Sequence, residues 1–120
     1  MPRKLDLAAA FASFDETWSP RLAARVDDYD VRLVKLEGEF VWHSHEREDE
    51  LFLVVAGRLL LRFRDHEEEL GPGELIVVPC GIEHLPVALE PTQVVLFERS
   101  SVVNTGSAGG ERTRAARPLG

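Results

Sequence analysis

Residues 38–57 read GEFVWHSHEREDELFLVVAG: two histidines one residue apart, a short acidic stretch, then a continuous apolar run. LFLVV at 51–55 is too short for a helix and reads as a buried strand. FVWHSH at 40–45 reads as the strand before it. Alternate residues of a strand share a face, so His43 and His45 project together, about 6.5–7 Å apart along the chain. Two imidazoles so placed can converge on one metal ion. Glu50 follows ERED, which leaves enough chain to bend and open the neighbouring strand beside them. His84 comes after the PCGIEH turn, from where a second hairpin can deliver it to the same point.

Outward from this stretch, turn signals recur about every 8–12 residues. Residues 21–26 and 30–37 read as strands around DDYD, with Val31, Leu33 and Lys35 alternating with Arg32, Val34 and Leu36. EGE at 37–39 reads as a turn, AGR at 56–58 as another, DH at 65–66 as a hairpin tip and GPG at 71–73 as a firm turn. Between them lie LLLRFR (59–64), EEEL (67–70), ELIVVP (74–79), LPVALE (85–90) and QVVLFE (93–98). Eight to ten short strands at this spacing argue for an all-β sandwich or barrel rather than βαβ units. LDLAAAFASF at 5–14 reads as a short helix with Asp6 as N-cap and Leu7, Ala10, Phe11 and Phe14 on one face. The small, polar, arginine-bearing stretch 99–120 reads as a tail with little intrinsic structure.

The length of 120 residues suits a single domain, 1–120, with a core over 20–98, an arm over 5–19 and the tail. The net charge of −7 repels phosphate backbones, which argues against a nucleic-acid partner. Cys80 is the single cysteine, so no intrachain disulfide can form. No leader pattern and no apolar run of membrane-spanning length is evident, so no membrane partner is expected, and the expectation is a soluble cytoplasmic protein.

The two halves of the candidate site resemble the paired motifs of the cupin superfamily. Gly38, His43, His45, Glu50 and Gly57 stand at the positions of the first motif, and Gly73, Pro79, Gly81 and His84 at those of the second. Two details depart from the pattern: four residues rather than five separate Gly38 from His43, and Ala88 stands where an asparagine often closes the second motif. The resemblance covers about 20–98 and implies a double-stranded β-helix (jelly-roll) barrel with a short N-terminal helix. It also implies a metal held by His43, His45, Glu50 and His84. The chain looks most like the small single-domain RmlC-like cupins labelled mannose-6-phosphate-isomerase-like, a likeness of barrel that transfers no substrate. Gly57 and Gly73 are expected at turns with positive φ.

Three imidazoles and one carboxylate suit a divalent transition ion: Zn, Mn, Fe, Ni or Co. The absence of thiolate argues against a zinc-finger type of structural site. Four protein ligands around an octahedral ion leave two positions for water or a small-molecule substrate. Arg62 and Arg64 are candidates to bind a substrate carboxylate at the barrel mouth, against the alternative of surface ion pairs. Glu46, Glu48 and Asp49 read as a solvated loop, His66 as exposed and Cys80 as a buried, inert thiol. If His43 and His45 face inward, Phe40 and Trp42 face outward and need cover. The N-terminal segment with Phe11, Phe14 and Trp18 can supply it, or a second copy in a homodimer packed sheet to sheet. The functional expectation is a metal-dependent enzyme of isomerase, dioxygenase or lyase type. The alternative is a non-catalytic ligand- or metal-binding sensor; a storage role is the remotest, because storage cupins are usually two-barrel chains.

Overall fold

The computed structural model describes residues 2–119. Its elements run α1 (Leu7–Ala12), β1 (Arg21–Val26), β2 (Tyr29–Glu39), β3 (Glu50–Ala56), β4 (Leu59–Phe63), β5 (Glu67–Leu70), β6 (Leu75–Val78), β7 (His84–Arg99) and β8 (Arg117–Pro118). The strands form a jelly-roll barrel in which β2 and β7 are long enough to serve both layers. The second half of β7 lies between β2 and β3, and β6 continues that layer beyond β3. The first half of β7 pairs with β4 and with the end of β2, and β5 continues beyond β4.

Three boundaries differ from the sequence reading. EGE at 37–39 is the end of β2, crossed by a register shift between Leu36 and Gly38 where the strand bends from one layer to the other. LPVALE and QVVLFE are one strand, 16 residues long, in which Glu90 and Pro91 take no part in the ladders. FVWHSH is no regular strand. It meets β7 through an isolated bridge between His43 and His84, with N···O distances of 3.0 and 2.9 Å, and through Phe40 N donating to Pro86 O. Pro86 has no N–H with which to continue a ladder. Past the bridge, the Ser44 carbonyl accepts from Ser107 N and the His45 carbonyl from Gly81 N, so neither serves a neighbouring strand.

Alternation fills the barrel with Val34, Leu36, Phe52, Val54, Leu59, Leu61, Val94 and Leu96. Gly57 allows the β3–β4 turn for two reasons. Its φ is +89°, and a Cβ there would collide with Pro91 O and Thr92. A second cluster lies outside, where Ala10, Phe11 and Phe14 cover Leu33 and Val95. Helix α1 is short and capped as expected, Asp6 Oδ1 accepting from Ala9 N at 3.1 Å. Leu7, expected on the covered face, is exposed instead: it opens the helix, and the covered face begins a turn later at Ala10 and Phe11. The tail is not loose: Val102 and Thr105 are buried, and β8 adds parallel to β1. No helix among the described residues is long and apolar enough to cross a membrane.

Phe11 is fully buried against the outer face of the sheet. Phe11→Ala is expected to lower stability by about 3–5 kcal/mol, read from the urea midpoint. A loss below about 1 kcal/mol would show that α1 does not dock as described.

Candidate metal centre

The donor atoms of His43, His45, Glu50 and His84 all lie within 4.8 Å of one another, and all four residues are buried. Ligands on opposite sides of one ion, each about 2.1 Å from it, are about 4.2 Å apart, so small side-chain rotations suffice to close the set. Each ligand is placed by backbone the motifs dictate. Glu50 is the first residue of β3, His84 the first of β7, and His43 reaches His84 through the isolated bridge.

The imidazoles are aimed. His43 Nδ1 lies 2.9 Å from Val41 O, and His84 Nδ1 lies 3.0 Å from Ile82 O. Since a carbonyl can only accept, each Nδ1 carries the proton and each Nε2 presents a lone pair to the centre. His45 Nε2 and His84 Nε2 stand 3.4 and 3.5 Å from Glu50 Oε1. All three of these buried atoms lack a hydrogen-bond partner. Groups that polar, left unpaired inside a barrel, carry a desolvation penalty that a cation at their centre removes. Their donor chemistry therefore fits a divalent transition ion, and this buried group could hold one. Burial, then the neighbouring His84, pushes the His43 imidazole down to about 4, which keeps it neutral and able to ligate in mildly acidic solution.

Behind the quartet lies a buried charge network. Arg32 donates to Asp30 Oδ2 at 2.9 Å, to Glu98 Oε1 at 3.2 Å and to the carbonyls of Ser100 and Val102. Glu98 stands directly across the ladder from Glu50 on one side and from Asp30 on the other. Burial, then the Glu50 charge, raises the Glu98 carboxyl well above the usual carboxylate range. Burial pushes Glu50 upward too, but the neighbouring Glu98, His45 and His84 outweigh it and hold Glu50 well below that range. The proton therefore sits on Glu98 and Glu50 is the ionised partner. Glu98 was not among the residues expected at the site. Its signal was nonetheless present: Asp30, Arg32 and Glu98 are charged residues in phase with the inward-facing Val34, Leu36, Val94 and Leu96.

Beside the quartet is a cavity of about 40 Å³, whose wall includes Trp18, Leu36, Phe40, Phe52, Leu96 and Asn104. Phe40 faces this cavity rather than the outside. It is buried, stacks on Trp18 at 4.6 Å and meets His43 edge-on at 5.5 Å. The peptide between β2 and the His43 bridge is not extended, so the alternation assumed for a regular strand does not hold there. Trp42 does lie outside, half-buried beneath the Arg64 guanidinium at 3.8 Å. Arg62 and Arg64 pair with Glu67 and Glu83 and do not line this cavity. Cys80 is exposed, not buried, because the turn after Pro79 stays at the surface. His66 is exposed beside Asp65, as expected, and Asp49 accepts from Cys80 N. The tail contributes Gly106, whose φ is +50° and at which a Cβ would strike the Ser44 carbonyl and come within 3.0 Å of His45 Nδ1.

Comparison with known proteins agrees with this geometry. The family pattern described as "Cupin domain" matches residues 30–98. A crystal structure of a cupin-2 domain containing protein from Shewanella frigidimarina is 43% identical, with TM-score 0.78 over 79% of this chain and 93% of that one. A Neisseria meningitidis protein is 30% identical, with TM-score 0.75 over 82% of this chain and all (100%) of that one. YdbB of Bacillus subtilis is 40% identical over 62 residues, which are 51% of this chain and 55% of YdbB, so the chain spans about half the length of that curated relative.

The depressed His43 value sets a pH dependence in the metal-free protein. Below about 6.5 the unfolded chain binds a proton that the folded chain refuses until about 4, so stability falls over that window. Relative to His43→Asn, the metal-free wild type is expected to lose about 2 kcal/mol between pH 7 and pH 5, by urea titration. Parallel pH profiles for the two proteins would contradict the assignment.

Proposed function

The chain belongs to the cupin domain family, and on that premise we propose that it is a metal-dependent enzyme acting on a small polar molecule, of isomerase, dioxygenase or lyase type. His43, His45, Glu50 and His84 hold the ion, which is Zn, Mn, Fe, Ni or Co. The observation that carries the reading is the set of unpartnered buried donors, His45 Nε2, His84 Nε2 and Glu50 Oε1, brought together beside a cavity. When bound, the ion supplies Lewis acidity toward a substrate oxygen or, for a redox-active metal, a centre for dioxygen chemistry.

The chain's own residues supply the rest. Val41 O and Ile82 O hold the histidine tautomers, and Arg32 holds Glu98 behind Glu50. Val34, Leu36, Phe52 and Leu96 keep bulk water from the quartet. The cavity of about 40 Å³ admits water-sized groups but not a sugar phosphate. A mannose-6-phosphate-like substrate would therefore have to displace the Trp18 arm. The same small cavity favours the second reading, a non-catalytic metal- or small-ligand-binding sensor.

The proposal treats residues 1–120 as one domain of a cytoplasmic protein whose arm and tail belong to the site. It retains a homodimer packed sheet to sheet, now on different grounds. Leu75 and Val77 on β6 are exposed beside half-buried Leu51 and the stacked Tyr29–Phe97 pair. Light scattering at micromolar concentration is expected to give twice the chain mass of 13.4 kDa, and a monomer would remove this part.

Elemental analysis of the purified protein is expected to find about one transition ion per chain, reduced at least about tenfold in His84→Ala. Protein that stays metal-free after incubation with Zn, Mn, Fe, Ni and Co salts would overturn the enzyme reading.

A further inference from the structure

The polar row that ends at Glu50 begins at the surface. Across the ladders, Arg25 on β1 stands opposite Asp30, Asp30 opposite Glu98, and Glu98 opposite Glu50. At the Arg25 end a cleft of about 430 Å³ opens between the β1–β2 pair and the tail segments 100–103 and 113–116. That volume lies within the about 300–1,000 Å³ of small-molecule sites. Arg25, Arg32 and Arg114 line the cleft, and Asp30 is the one carboxylate among the described residues beside them. Three guanidinium groups against one carboxylate leave the cleft positive, in a chain whose net charge is −7.

Two of these guanidinium groups are fixed along one edge and free along another. Arg25 donates through Nε to Asp30 Oδ1 at 3.0 Å, and its terminal nitrogens have no acceptor among the described residues. Arg114 donates through Nη1 to Glu111 O and Thr113 O, both at 2.8 Å, and its backbone N–H is tied to Asn104 Oδ1 at 2.7 Å. Its Nε and Nη2 remain for a ligand. Arg32 is buried and spends its N–H groups on Asp30, Glu98 and the carbonyls of Ser100 and Val102, so it gives the floor charge but no free donor. Ser100 and Thr113 add hydroxyl groups to the wall.

A fork that is already oriented loses less freedom when it takes an anion. Two forks on separate walls suit an acceptor whose oxygens point in more than one plane, which a tetrahedral phosphate has and a planar carboxylate lacks. A phosphate monoester also carries about −1.5 to −2 charge near neutral pH, which balances the excess of guanidinium. We propose that this cleft binds a dianionic phosphate group, free or as a small-molecule monoester, held by Arg25 and Arg114 over the Arg32 floor. The metal quartet plays no part in that contact.

The test titrates the full chain by calorimetry, as purified and after a chelator has removed metal, in a constant chloride background. The probes are inorganic phosphate, glycerol 3-phosphate, dimethyl phosphate and succinate. Saturable binding is expected for the two dianionic phosphates, at least about tenfold tighter than for the monoanionic diester or the planar dicarboxylate. Tighter binding of glycerol 3-phosphate than of inorganic phosphate assigns the cleft to an organic ester, and the reverse assigns it to free phosphate. Arg25→Gln and Arg114→Gln should each weaken phosphate at least about fivefold, while Arg62→Gln, outside the cleft, should change it less than about twofold. Absence of saturable binding, or equal affinity for phosphate and either control anion, overturns the assignment and needs no variant to fold. So does an affinity that survives either cleft substitution or falls as far in Arg62→Gln. Binding that disappears with the metal puts phosphate on the ion and overturns it too. Protein that never holds metal yet binds phosphate through Arg25 and Arg114 removes the metal-dependent reading and leaves the cleft standing.

Discussion

The structure is organised around one buried carboxylate. Glu50 is 4% exposed, ionised, and surrounded by three imidazoles and the inside of a barrel. Such a charge is tolerable only when neighbours are placed to stabilise it. The barrel does this with strand register. Glu50 on β3 faces Glu98 on β7, which faces Asp30 on β2, and Arg32 bridges the last two. A slip of one residue in either ladder would turn these charges to the outer face and apolar side chains into the quartet, so the polar row and the register specify each other.

Much of this was legible from residue order. Strand spacing pointed to His43 and His45 as a pair, and the resemblance to the two cupin motifs added Glu50, His84 and the barrel. The strands from 51 to 78 fell where apolar runs and Gly-Pro turns put them. What escaped was set by contacts distant in sequence. A regular strand at 40–45 is a fair inference from FVWHSH, yet Ser107 and Gly81 claim the carbonyls that would have continued it. That local irregularity turned Phe40 inward, against its expected orientation. Glu98 sits at the end of a strand, where a charged residue ordinarily meets solvent; its phase with Val94 and Leu96 is the sequence signal, and pairing with β3 accounts for its burial.

Both chain ends close over the site. The arm brings Trp18, held in a left-handed conformation (φ 57°) by hydrogen bonds to Lys35 O and Glu37 O, onto Phe40. A tryptophan in that region is strained and persists because its surroundings hold it. The tail brings Gly106 against His45 and Ser107 against Ser44, so the loop bearing the second histidine is backed by residues more than sixty positions away. Its polar, small-residue composition suggests a loose end, but these contacts need small residues. A larger side chain at 106 would strike the ligand loop.

The central claim is that three imidazoles and one carboxylate of this chain share a single ion. X-ray absorption at the zinc or cobalt edge of the loaded protein reads that shell directly. The account predicts three imidazole scatterers among otherwise oxygen donors, and two in His84→Ala. A sulfur scatterer, which only Cys80 or a methionine can supply, or a shell without imidazole, would contradict it.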